Sequence, residues 1–186
     1  MTGAALPSAS RRERLVHVIQ GDFAVSDDPT VVFTTILGSC VATCMWDPLA
    51  QIGGMNHFLL PGDKERDGDL MRYGVNAMEL LINGLLQRGA ARARLQAKLF
   101  GGAHVINNLS DVGAQNAAFA LHFLSAEKIP CVAQSLGGEQ ARRVRFWPTS
   151  GRAGQLLIQG AAVETRTAAR AQPAPTNPAA GSVELF

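Results

Sequence analysis

The chain has 186 residues, 47% of them hydrophobic and 17% charged, with 17 Lys and Arg against 15 Asp and Glu for a net charge of +2. That composition excludes an intrinsically disordered chain and the strongly basic footprint of a dedicated nucleic-acid binder. The length suits one domain, no apolar run reaches the ~18–20 residues of a membrane span, and three cysteines are too few for a disulfide scaffold.

Residues 1–14 lack both a period and the apolar stretch of a secretory signal, so they read as a mobile lead-in. A short apolar run, 15–19, enters a sheet, and 22–29 carries turn chemistry in Asp27-Asp28-Pro29. Residues 30–37 (TVVFTTIL) are β-branched and aromatic, a strand that Gly38 ends. Two further strands, 41–46 and 52–60, flank Asp47-Pro48-Leu49-Ala50, a hairpin turn with Pro in its second position. Residues 61–69 turn polar and read as a loop. Val75, Met78, Ile82 and Leu85, widened by Leu81 and Leu86, give the stripe of a helix over 73–88, with Gly89 as its stop. A strand follows at 95–100. A second helix spans 113–128, capped by Ser110 or Asp111, with Phe119, Phe123 and Leu124 on one face. A strand at 129–135, a Gly137-Gly138 turn, and a hairpin of 144–147 with 155–159 close the domain. Over 168–181, six Ala and three Pro leave no face to bury, so the tail at 165–186 reads as disordered. The order of elements predicts an α/β (α+β) layered sandwich, a single domain over 15–164 with mostly antiparallel or mixed sheets and two main helices. The expected protein is soluble and cytoplasmic, with reduced thiols.

The hairpin allows one piece of geometry to be computed. With Asp47 to Ala50 as the loop, partners obey i + j = 97, so Trp46 faces Gln51 and Cys40 faces His57. Directly opposed residues share a face with Cβ atoms ~4.5–5.5 Å apart, close enough for thiol and imidazole to bond. Gly38 and Ser39 precede the cysteine in a turn that can free backbone N–H groups for an oxyanion. The bland alternative is that Cys40 is a packing residue, since free cysteine is commonly buried. Cys44 and Cys131 read as core. A metal site is disfavoured, because the chain has neither CxxC nor HxxxH. His17, His104 and His122 read as surface or internally satisfied histidines. Arg88, Arg92, Arg94 and Lys98 place four cations within eleven residues, either a solvated connection or a docking surface.

Seven motifs stand out along the chain: Leu37-Gly38-Ser39-Cys40-Val41, Met45-Trp46-Asp47-Pro48, residues 53–61 (GGMNHFLLP), Lys98-Leu99-Phe100-Gly101-Gly102-Ala103, Val112-Gly113-Ala114-Gln115-Asn116, residues 126–130 (AEKIP) and Leu136-Gly137-Gly138. Together they resemble the chemoreceptor glutamine deamidase (CheD) family. The resemblance covers roughly 15–160; it departs at Ala141-Arg142, where the family has Gly-Arg, and at His104. It implies a nucleophile at Cys40, a base at His57 and a third active-site residue, a threonine, at Thr34. It further implies hydrolysis of glutamine side chains in methyl-accepting chemotaxis receptors through a thioester, in chemotaxis adaptation, with no cofactor or metal. The competing expectations are a module binding receptors or a CheC-type phosphatase with catalysis secondary, and a thiol hydrolase of small amides. Neither nucleic acid nor membrane insertion is expected.

Overall fold

The computed structural model describes residues 12–60, 67–104, 112–158 and 183–186. The strands in chain order are β1 (Arg14–His17), β2 (Phe23–Ser26), β3 (Val31–Leu37), β4 (Val41–Asp47), β5 (Ile52–Phe58), β6 (Gln96–Gly101), β7 (Cys131–Leu136), β8 (Ala141–Trp147), β9 (Arg152–Ile158) and β10 (Val183–Leu185). Two helices interrupt them, α1 (Asp67–Gln87) and α2 (Val112–Ala126). They form two five-stranded sheets, ordered β1-β3-β8-β9-β10 and β2-β5-β4-β6-β7. Pairing is antiparallel except for β1 with β3 and β6 with β7, so the expected mixed, layered α+β architecture is observed.

Side-chain alternation builds the layers. Along β4, Val41 and Met45 join a core with Met78, Leu81, Ile82 and Leu85 of α1 and Phe119, Phe123 and Leu124 of α2. Ala42, Cys44 and Trp46 point the other way, into a second core with Val31, Phe33 and Leu37 of β3 and Val144 and Phe146 of β8. The second sheet is thus sandwiched between helices and the first sheet, and β4 is buried along its whole length. No helix among the described residues is long and apolar enough to cross a membrane.

Helix α1 ends as its sequence predicts. Gly89 has φ +104°, and the N–H groups of Gly89 and Ala90 donate to the carbonyls of Leu86 and Leu85, a Schellman closure. The helix starts earlier than predicted because its apolar stripe begins only at Val75, leaving the preceding turn without a periodic signal. The stretch read as turn at 22–29 contains β2, too short to show alternation, which pairs with β5. The C-terminal residues expected in a disordered tail include β10, paired to β9. Residues 1–11, the loop at 61–66, the caps Ser110 and Asp111, and the stretch 159–182 lie outside the described residues.

The β4–β5 register departs from the predicted one. Asp47 pairs with Ile52 and Ala42 with His57, so i + j is 99 rather than 97. Asp47 stays in the strand because its carboxylate caps the turn, accepting from Leu49 N–H at 3.0 Å and Ala50 N–H at 3.1 Å. Gln51 then takes a left-handed φ of 55° to re-enter β5. Cys40 and His57 are therefore diagonal neighbours rather than directly opposed. A slip of two residues preserves the face, and both still point between the sheets.

Candidate active site

Cys40 precedes the first residue of β4, at the mouth of the inter-sheet core, and is partly buried against it. The loop before it is held by its carbonyls. Ala103 N–H donates to Gly38 O at 2.8 Å and Gly102 N–H to Cys40 O at 2.8 Å, while the Asn116 amide donates to Ser39 O at 3.0 Å. The approach at Gly101 requires glycine: φ is +111°, and a Cβ there would lie 2.1 Å from Cys40 O.

His57 sits on β5, 6% exposed. A turn between β1 and β2 wraps it. Gly21 N–H donates to His57 O at 2.7 Å, and His57 N–H donates to Asp22 O at 3.0 Å. The ring nitrogen Nδ1 lies 3.3 Å from Val18 O and 2.9 Å from Thr35 Oγ1. A carbonyl only accepts, so the contact with Val18 O is a hydrogen bond in the tautomer with the proton on Nδ1, which leaves the lone pair on Nε2. Nε2 is buried with no hydrogen-bond partner, an orphaned acceptor on the face that Cys40 shares.

The threonine at the imidazole is Thr35, not Thr34. Thr35 has the parity of Phe33 and Leu37, which enter the inter-sheet core, so its hydroxyl reaches across to β5. Thr34 has the opposite parity, and its hydroxyl donates to Val144 O at 2.9 Å within its own sheet. The placement of Thr34 beside His57 is thereby corrected: alternation sends it to the outer face.

Burial pushes the Cys40 thiol up to about 11, opposed by its own backbone N–H, which lies against the sulfur. Burial also pulls the His57 imidazole below its ordinary range, opposed by the bond to Val18. At neutral pH the resting pair is therefore neutral thiol and neutral imidazole. The thiol donates to Gln20 Oε1 at 3.4 Å, a residue that carried no signal in the sequence because the turn holding it was unrecognised.

Elsewhere, Cys44 is fully buried as expected, and burial raises its thiol well above the ordinary range. Cys131 is half-buried on the edge strand β7, where it packs against the helix-side core and donates to Ala133 O at 3.3 Å. His17, His104 and His122 are exposed. Each of the four cations in the basic stretch has an intramolecular partner: Arg88 with Asp27, Arg92 with Glu127, Arg94 with Asp47, and Lys98 with Phe186 O. At Ala141-Arg142, Arg142 braces the Gly137 turn, donating to Ser135 O at 2.6 Å and to Gly137 O.

A thiol and an imidazole on one face of the second sheet, beside a turn pinned by its carbonyls, are the parts that a nucleophilic thiol–imidazole site would need. A family model described as CheD chemotactic sensory transduction matches residues 59–155. The probable chemoreceptor glutamine deamidase CheD of Rhizobium etli (strain CIAT 652) is 55% identical over 177 residues, covering 93% of this chain and 96% of that one. The protein of the same name from Caulobacter sp. (strain K31) is 55% identical over 191 residues, covering 100% of both. That from Agrobacterium fabrum (strain C58 / ATCC 33970) is 54% identical over 173 residues, covering 92% and 96%. The chain belongs to the CheD family.

Proposed function

We propose that this protein hydrolyses glutamine side-chain amides of methyl-accepting chemotaxis receptors to glutamate, releasing ammonia, through a thioester on Cys40. The observation that carries the reading is the state of His57: Nδ1–H anchored on Val18 O, and Nε2 buried without a partner on the face it shares with Cys40. His57 Nε2 takes the thiol proton as sulfur attacks the amide carbon, since the thiolate is the nucleophile. The tetrahedral oxyanion is received by backbone N–H groups at Ser39 and Cys40, which among the described residues donate to no backbone carbonyl. The imidazolium protonates the departing ammonia, and His57 then deprotonates the water that opens the thioester. Thr35 and Val18 O hold the ring in this tautomer, the role an Asp or Asn plays in other triads. No step calls for a metal or organic cofactor.

The test is mass spectrometry of a receptor cytoplasmic fragment incubated with the protein. A gain of about 1 Da at glutamine, lost with Cys40→Ala, is the expected result for a cysteine-dependent amidohydrolase. A fragment left unchanged, or equal conversion by Cys40→Ala, overturns the reading.

A further inference from the structure

Asn116 on α2 is buried completely, unusual for an amide side chain, and makes three bonds that join three parts of the chain. Its Oδ1 accepts from Leu60 N–H at 2.8 Å, three residues beyond His57. Its Nδ2 donates to Ser39 O at 3.0 Å, one residue before Cys40, and to Val112 O of its own helix at 2.8 Å. The amide thus clips the nucleophile turn to the exit of the strand that carries the base.

The bond to Ser39 O has a directional consequence. In a trans peptide the carbonyl of one residue and the N–H of the next point to opposite sides of the chain. Asn116 draws Ser39 O toward the helix layer, so Cys40 N–H is turned toward the inter-sheet side, where the sulfur packs. Among the described residues no backbone carbonyl accepts from Cys40 N–H, which lies against its own sulfur. A nucleophile's own N–H, on the side of the chain where its sulfur lies and not taken by a carbonyl, is placed to receive an oxyanion.

We infer that Asn116 is a positioning residue for the oxyanion site: it fixes the Ser39–Cys40 peptide plane so that Cys40 N–H faces the developing charge. The inference rests on the proposed thioester mechanism. Gly102 and Ala103 hold the flanking carbonyls of Cys40 and Gly38 by backbone bonds, which leaves the central peptide of the turn to a side chain. Among the described residues it is therefore the turn carbonyl whose anchor is a side chain.

The experiment compares wild type, Cys40→Ala, Asn116→Asp and Asn116→Ser in two assays. One is deamidation of a receptor cytoplasmic fragment; the other is alkylation of Cys40 by iodoacetamide, which needs the thiol but develops no oxyanion. Asn116→Asp keeps the acceptor for Leu60 N–H and loses both donors. It should lower kcat about 100-fold with little change in KM, the order of effect of losing an oxyanion donor. Its Cys40 alkylation rate should stay within about threefold of wild type, since thiolate character and access are untouched. Asn116→Ser, which introduces no charge, should show the same split. Deamidation at wild-type rates in both variants overturns the inference, as does a parallel loss of both activities or failure of both variants to fold. Wild type active and Cys40-dependent beside unaffected Asn116 variants sinks this inference alone. An inert wild type, or an active Cys40→Ala, sinks the mechanism and the inference with it.

Discussion

Thr35 Oγ1 lies 2.9 Å from His57 Nδ1, joining β3 of one sheet to β5 of the other across the inter-sheet core. Thr34, its neighbour, is equally buried and equally β-branched, yet faces outward to Val144 O. The pair makes a built-in control. Thr35→Val keeps volume and strand propensity while removing an orienting hydrogen bond. It should raise the barrier by roughly 1–3 kcal/mol, or about 5- to 150-fold in deamidation rate. Thr34→Val should cost about 1 kcal/mol of stability and leave the rate nearly unchanged. Initial rates and thermal melts of the two variants decide the matter; a slower Thr34 variant beside a normal Thr35 variant would refute the assignment.

The neutral resting pair has a pH signature. Burial holds Cys40 at about 11, so its alkylation in the free protein should climb steadily through pH 8–10. A plateau reached below pH 7 would reveal a pre-formed thiolate–imidazolium pair and refute this. The same shift bears on stability. A raised thiol pKa means the unfolded chain loses its proton first, from its reference near ~8.5 upward, so stability falls as pH rises between there and 11. His57 acts on the acid side. Its pKa is lowered by burial, so stability falls as pH drops below the unfolded value near ~6.5 and down through the folded one.

Gln20 places a carboxamide oxygen on the Cys40 thiol, in a turn that Val18 O, Gly21 N–H and Asp22 O fasten to His57. Bonded to the sulfur, its side chain competes with an incoming electrophile for the thiol. Gln20→Ala should therefore speed alkylation of Cys40 by about 3- to 10-fold, the worth of one modest hydrogen bond plus freer access. Gln20→Glu should slow it, because a carboxylate beside the sulfur disfavours the thiolate. Iodoacetamide rates for the two variants check both signs, and a slower Gln20→Ala would mark Gln20 as assisting the thiol instead.

The helices and the central hairpin were legible because their signals are local. Val75, Met78, Ile82 and Leu85 carry a helical period, and Pro48 marks a turn. The shared face of Cys40 and His57 was legible too, since parity survives a two-residue error in register. The register itself was not, because it depends on Asp47 capping the turn and on the left-handed Gln51, neither visible as a pattern. Thr34 and Thr35 are chemically identical, and only the placement of β3 opposite β5 separates them. That is a fact of sheet packing, as is the arrival of Gln20 at the thiol. Asn116 stood within a recognised motif, but its role depends on contacts with Ser39 and Leu60, which are distant in sequence.

Asp47 shows how much the hairpin depends on one carboxylate. It is buried, accepts from Leu49, Ala50 and Ala91 N–H groups, and receives Arg94 Nη2 at 2.7 Å. The Arg94 guanidinium, followed by those backbone donors, holds its pKa far below the usual carboxylate range. Asp47→Ala strands three backbone donors and one cation. Arg94 is 40% exposed and can rehydrate, so the cost is smaller than for a fully buried pair, about 2–4 kcal/mol. That corresponds to a melting point lower by roughly 5–15 °C for a chain of this size. The sign with pH follows from the depressed pKa. The stabilisation is fully present above the unfolded Asp value near ~3.9 and is lost as pH falls below it toward the folded value. Wild type should therefore lose stability in acid more steeply than Asp47→Ala, and their melting curves should converge as pH drops below ~4. A gap between the two that stays constant from pH 7 to pH 3 would show that the charge on Asp47 contributes nothing, and that its worth lies in packing alone.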